Sequence, residues 1–353
     1  MTAPALPTRD TTLPDAYSDA LEKLALAPLW AALHTLLPHQ RTTRVLPHHW
    51  RWADLRPPLL EAARLVGIEQ AERRVLVLMN PGLAGAYAAT STLYAGLQII
   101  LPGESAPSHH HTPAALRLVV EGRGAFTTVD GMKCAMERGD LIITPPMRWH
   151  DHGHEGTEPV VWLDGLDIPL VRNVDASWAS RMQPAAPPTT STDSSEDELT
   201  AAGLVPRRSR YEETGYPQVR WPWRIARKAL ATMAETAPAA SPVVLRHVNP
   251  LTGEWPLRTM GSEVQWLRPG ERTPAERRTG SGVFHVVEGR GESLVGDTLI
   301  AWEEGDCFAA PPWHWIEHKN AAGAAPACLF HLTDEPALTA LGLWREEAAS
   351  PRA

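Results

Sequence analysis

Three histidines stand side by side at His109, His110 and His111, and another stands downstream at His150. On an extended strand neighbouring side chains point to opposite faces, so His109 and His111 share one face and His110 takes the other. If the shared face is interior, two imidazoles converge there. His150, arriving from an adjacent strand, would complete a three-point grip. Three neutral imidazoles on one face of an octahedral ion leave the opposite face open. Non-haem iron oxygenases use such a triad, and here a third histidine would replace their carboxylate. Three histidines alone suit many metals, and a solvated His-rich turn is the competing reading. Arg117 lies eight residues after His109, and strict alternation puts it on the same face unless a bend at Pro113 breaks the parity. A buried Arg needs an anion. A substrate carboxylate would serve, by two-point pairing, and so would Glu121 or another acid. His152 shares the face of His150, and its alternative is a place at a strand end on the surface. Arg73 and Arg74 are adjacent, so at most one of them faces a common pocket. Tyr94, Gln98 and Trp149 are candidates for its walls.

These residues need a rigid frame. The spacing of Tyr17, Leu21 and Leu24 predicts helix over residues 14–37, and a second helix is expected over Pro58–Val66, with Gly67 just beyond its end. From Arg74 the texture changes to short apolar runs cut by Gly, Pro and Asp: VLVLMN, TLYAGLQIIL, LRLVVEG, GAFTTVDG, DLIITPP, VVWLDGLDI. Strands at that spacing predict an all-β barrel or sandwich. Residues 184–200 are poor in large apolar side chains and rich in Pro, Ser, Thr and acid, which reads as a linker or mobile loop. A Trp- and Arg-rich stretch follows over Tyr216–Arg227, then a second β-rich segment over Ser241–Thr333.

The two β segments repeat one another. LPGESAPSHHHTPAALRLVVEGRGAF from Leu101 matches RPGERTPAERRTGSGVFHVVEGRGES from Arg268, an offset of 167. GDLIITPPMRWHDH from Gly139 matches GDCFAAPPWHWIEH from Gly305, an offset of 166. In the second copy Glu276, Arg278 and Ile316 replace His109, His111 and His150. The second copy therefore reads as structural and free of metal.

The first copy resembles the cupin pattern, with Gly103, His109, His111, Gly122, Gly139, Pro145 and His150 at its marked positions. The usual Glu after His-x-His is absent, since Thr112-Pro113-Ala114-Ala115 stands there. The fuller text is similar to the gentisate and salicylate 1,2-dioxygenases, over most of the chain. That resemblance implies an all-β-dominated bicupin, two jelly-roll or double-stranded β-helix barrels with an N-terminal helical arm. Its expected divisions are an arm with first strands (1–74), a catalytic barrel (75–182), a linker and inter-domain segment (183–240), a structural barrel (241–340) and a tail (341–353). It implies one Fe(2+) per chain and cleavage of an aromatic ring by O2 between the carboxyl-bearing and hydroxyl-bearing carbons. The carboxylate would meet Arg117, with one of Arg73 and Arg74 lining the pocket, and His152 would hydrogen-bond the substrate hydroxyl or bound oxygen. Gentisate is the first-named substrate; salicylate, substituted salicylates and 1-hydroxy-2-naphthoate are the alternatives. A non-enzymatic cupin sensing an aromatic acid, or a metal enzyme without oxygen chemistry, is the alternative of another class. HHHTPAAL departs from the family's usual HRHTQSAL, which bears on substrate identity more than on chemistry. The family forms homotetramers, and the N-terminal arm is the expected contact.

Composition excludes other classes. A formal charge of -8 without a basic cluster argues against nucleic acid. Cys134, Cys307 and Cys328 lie far apart with no CxxC pair, as expected in a reducing cytosol. The N-terminus has no apolar core of signal-peptide length, and no run approaches the roughly 18 apolar residues of a membrane helix. A cytoplasmic protein is the expectation.

Overall fold

The computed structural model describes residues 9–181, 189–192, 219–238, 241–321, 323 and 325–349. Most of the expected 184–200 linker lies outside them. The helix expected over 14–37 is two helices, Asp15–Lys23 and Leu29–Leu36. Ala25 between them has a positive φ, and Pro28 precedes the second. Because Pro disfavours helical dihedrals in the residue before it, one continuous helix is interrupted there. Residues up to Arg44 form a compact unit by themselves, and Val45 to the C-terminus forms another. No described helix is long and apolar enough to cross a membrane.

The second unit contains two barrels, each made of two sheets. In the first barrel one sheet runs Arg220–Trp221, Leu141–Thr144, Ala115–Glu121, Val160–Leu166, Tyr94–Ile100, Arg74–Val77. The facing sheet runs Ala179–Arg181, Ser105–His111, His150–His154, Arg123–Val129, Met132–Glu137, Ser191–Thr192. The second barrel repeats this plan. Its first sheet runs His48–Trp50, Cys307–Ala310, Gly282–Glu288, Ala327–Thr333, Gly261–Leu267, Val243–Arg246. The apolar runs form these sheets because alternate side chains of facing strands interdigitate between them.

The edge strands are exchanged. His48–Trp50, which precedes the first barrel in sequence, pairs with Cys307–Ala310 of the second. Arg220–Trp221, which precedes the second, pairs with Leu141–Thr144 of the first. A helix follows each exchanged strand, Trp52–Leu65 and Trp223–Thr236. The first begins six residues before the expected Pro58, and its start is fixed from the other barrel: the Trp52 backbone N–H donates to Asp306. The Trp223 N–H donates to Asp140 in the same way. Gly305 and Gly139 have positive φ, and a side chain at either would overlap the indole of Trp52 or Trp223. The GD pair repeated in both sequence blocks is thus the socket for the other repeat's helix.

A second contact obeys the same symmetry. Asp167 accepts from the Ala114 N–H of its own barrel and from the Thr259 hydroxyl of the other repeat. Asp334 accepts from the Ser281 N–H and from the Thr92 hydroxyl. These aspartates lie at equivalent positions and are both buried.

Candidate functional site

His109 and His111 end the strand Ser105–His111, and His150 begins its neighbour His150–His154. Register pairs His109 with His150, so the three imidazoles meet at one end of the first barrel. Their nearest ring nitrogens lie within 4.8 Å of one another. Ring centroids are 5.1 Å apart for His109 and His111, 4.3 Å for His109 and His150, and 4.9 Å for His111 and His150. No other cluster of three metal-ligating side chains occurs among the described residues.

The donor set suits a metal ion. His111 Nδ1 lies 2.7 Å from the Pro113 carbonyl and His150 Nδ1 lies 3.0 Å from the Arg148 carbonyl. Carbonyls accept only, so both Nδ1 atoms carry the proton and both Nε2 lone pairs are free. His150 Nε2 is buried with no hydrogen-bond partner, an orphan that an ion would satisfy. Burial, helped by the charge of Arg73, pushes His109 down to about 2. Burial likewise takes His111 to about 4 and His150 well below the usual imidazole value. All three are neutral at pH 7, the state in which imidazole ligates.

Arg117 keeps the parity expected from His109 despite the bend at Pro113. It is buried, donates from Nη1 to the Thr144 hydroxyl at 2.6 Å, and lies 3.5 Å through Nε from Asp164. Glu121, its alternative partner, pairs instead with Arg56. Arg73 and Arg74 separate cleanly. Arg74 turns outward from the site, donating to the Ala63 and Val66 carbonyls and pairing with Glu104. These contacts hold its guanidinium in the fold, so Arg74, unlike the expectation, is not a substrate contact. Arg73 reaches the strand that carries His109, donating from Nη2 to the Pro107 carbonyl at 3.0 Å, and burial and the charge of Arg117 lower it to about 10.

His152 is fully buried rather than a surface strand end. Its Nδ1 meets the Thr127 hydroxyl at 2.8 Å, and its Nε2 is buried without a partner. Burial holds it neutral. Gln98 is buried, and its amide nitrogen also has no partner. Tyr94 is pushed above its ordinary value by burial and by Asp164. Trp149 is misplaced as a pocket wall. It stacks on His110 with centroids 4.0 Å apart and planes at 14°, on the outer face of the strand. The cause is the same alternation that separates His110 from its neighbours. His154 bonds the Glu158 carbonyl and the Gly156 N–H, a purely local role.

Asp164 was missed by sequence reasoning. It sits opposite Arg117 in the strand register, is fully buried, and is pushed up to about 6 by burial, with Arg117 pulling the other way. The signal was an acid inside the apolar run VVWLDGL. Thr127 and Thr144 gave no signal, because Thr is ordinary in strands.

A cupin domain model matches residues 96–166 and 264–333, the two repeats. The chain is 41% identical over 338 residues to a gentisate 1,2-dioxygenase of a Ralstonia species, covering 94% of each chain. It is 36% identical to a 5-aminosalicylate 1,2-dioxygenase of a Comamonas species, covering 95% of this chain and 90% of that one. The crystal structure of a salicylate 1,2-dioxygenase from Pseudaminobacter salicylatoxidans superposes with a TM-score of 0.88 at 31% identity, over 96% of this chain and 99% of that one. That enzyme has also been solved with gentisate, and this form superposes with a TM-score of 0.87 at 30% identity, over 98% of this chain and 97% of that one. The two repeats, the three-histidine cluster and these likenesses together place the chain in the bicupin family of gentisate and salicylate 1,2-dioxygenases.

Proposed function

We propose that this chain is an iron(II)-dependent dioxygenase that opens gentisate between its carboxyl-bearing and adjacent hydroxyl-bearing carbons. The observation that carries this reading is three imidazoles converging beside the buried guanidinium of Arg117 and the half-buried one of Arg73. His109, His111 and His150 would hold the ion. Iron(II) held there would supply coordination positions for a chelating hydroxy acid and for O2, with redox chemistry between them. Three neutral ligands leave the ion's formal charge at +2, matched to a carboxylate with an ortho phenolate.

The chain's own residues do the rest. Arg117, fixed by Thr144 and Asp164, pairs with the substrate carboxylate, and Arg73 adds a second positive charge. Asp164 keeps Arg117 from facing the cavity as an uncompensated buried charge before substrate arrives. His152 stays neutral and presents Nε2 to the substrate hydroxyl as a hydrogen-bond partner, while the Thr127 hydroxyl holds Nδ1. The unpartnered Gln98 amide and Tyr94 would be available to line the pocket. Arg117 and Asp164 are buried, so their charges act at lower dielectric than on the surface.

Oxygen uptake by iron-loaded protein across a panel of hydroxybenzoates tests the reading. Gentisate is expected to be turned over fastest, and substrate should bind without O2 but react only with it. No uptake with any hydroxybenzoate would leave a metal-binding cupin without this activity. Salicylate is the second reading, favoured by the TM-score of 0.88 to a salicylate 1,2-dioxygenase, and faster turnover of salicylate would select it. We further propose a cytoplasmic homotetramer. The arm exposes Leu24, Leu26, Leu29, Trp30, Leu36 and Leu37, apolar side chains that a subunit interface would cover. Light scattering checks the assembly.

A further inference from the structure

The second barrel has lost the three histidines but not the space they framed. A cavity of about 250 Å³ remains there, and Glu276, Arg278 and Ile316 all line it. Arg278 is mostly buried. Its Nη2 lies 2.6 Å from Glu276 and its Nη1 lies 3.4 Å from Glu263. Its Nε is buried and has no hydrogen-bond partner. Glu263 is further held by His331, at 3.3 Å, whereas the Glu276 side chain is 45% exposed.

A carboxylate meets a guanidinium best along its Nε/Nη2 edge, with two parallel hydrogen bonds. Arg56 and Glu121 pair this way elsewhere in the chain. At Arg278 that edge is half used: Glu276 takes Nη2 from the mouth and leaves Nε unmade. A buried donor without an acceptor is unfavourable, and it points to an acceptor that arrives from outside. Ile316 and Trp344 give the cavity an apolar side. A buried arginine among carboxylates also does less for stability than well-packed apolar side chains would.

We propose that the second barrel binds a small organic monocarboxylate, which takes the Nε/Nη2 edge of Arg278 from Glu276 and lays its body against Ile316 and Trp344. Glu276, already half in water, turns outward as the ligand enters. Glu263 and His331 keep the inner side of Arg278 fixed. The site is separate from the ring-cleavage reading, because occupancy can be counted without turnover.

Benzoate is the probe, since it lacks the ortho hydroxyl needed to chelate a metal. Calorimetric titration of the metal-loaded wild type should show one more benzoate site per chain than Val244→Trp, which fills the cavity mouth and leaves the charges in place. Arg278→Met should lose the same site. If that variant fails to fold, Val244→Trp decides alone. Glu276→Gln removes the competing carboxylate and should tighten the site about two- to fivefold, the range for a half-exposed ion pair. Ring-cleavage kcat/KM of Val244→Trp should stay within about twofold of wild type, since its position lies in the other barrel. Equal benzoate stoichiometry in wild type and Val244→Trp would overturn the proposal. So would uptake of benzylamine in place of benzoate, which would make the cavity a cation site on Glu263 and Glu276.

Discussion

The two barrels share a backbone plan and differ at its open end. In the first, strand ends carry His109, His111 and His150 around an interior that also holds Arg117 and Asp164. In the second the same places carry Glu276, Arg278, Ile316, Phe284 and His331. What survives in both is the support. His152 leans on Thr127 as His318 leans on Ser293. Asp140 and Asp306 anchor the exchanged helices, and Asp167 and Asp334 tie the barrels across their shared face. One scaffold therefore tolerates loss of the metal cluster, because the ligands sit at strand ends and not in the packed layer between sheets. The difference also separates two uses of buried charge. The first barrel surrounds neutral imidazoles with positive charge. The second pairs one arginine with several acids.

The sharpest test of this division is His111→Ala against Glu276→Ala. The first should abolish metal content and activity while the fold stays intact by circular dichroism. The second should leave metal at one per chain. Loss of half the metal in Glu276→Ala would show the second barrel to be occupied. Next in size, Arg117→Ala should raise KM for the aromatic acid on the order of a hundredfold, the effect of losing about 2–4 kcal/mol from a buried charge pair, with metal content retained. The reverse ranking of metal and substrate affinity would make Arg117 a structural residue. A smaller effect is expected at the supports. Thr127→Val should lower kcat about tenfold, because His152 loses the hydroxyl that orients it, whereas Ser293→Ala should leave the rate unchanged. A rate loss in both variants would show the effect to be general loosening. Asp167→Ala and Asp334→Ala should each lower stability in urea by about 1–3 kcal/mol. Unequal losses would break the symmetry of the barrel interface. The smallest prediction concerns pH. Burial and neighbouring Glu263 push Glu335 up to about 7. A raised carboxyl favours the fold below its ordinary value, and that contribution is lost as pH rises from about 4.5 to 7. Glu335→Gln should therefore flatten the change in Tm between pH 5 and pH 8.

Much of this was legible in the chain because it rests on local rules. Alternation on a strand fixed which of the three adjacent histidines face inward, and the offset copy with Glu276, Arg278 and Ile316 marked one cluster per chain. It could not separate Arg73 from Arg74, because the choice depends on Glu104 and the Ala63 carbonyl, which lie outside that strand. Trp149 went astray for a related reason: the residue next to a ligand lies on the opposite face, where His110 was waiting. Asp164 became meaningful only once strand register set it across from Arg117.

The exchange of edge strands lay wholly beyond local reasoning. Nothing in HHW or RW names its partner strand, and the pairing is decided by which exposed sheet edge and which GD socket the folded barrels bring near. By itself the sequence determined the repeat, the cluster of histidines and the face they share, since period-two geometry and residue chemistry act between neighbours in the chain. Only the tertiary structure decided which arginine turns inward, which acid meets it, what holds His152, and which repeat completes which barrel. Those choices are made by contacts between segments far apart in sequence, and their energies exist only when the segments have packed.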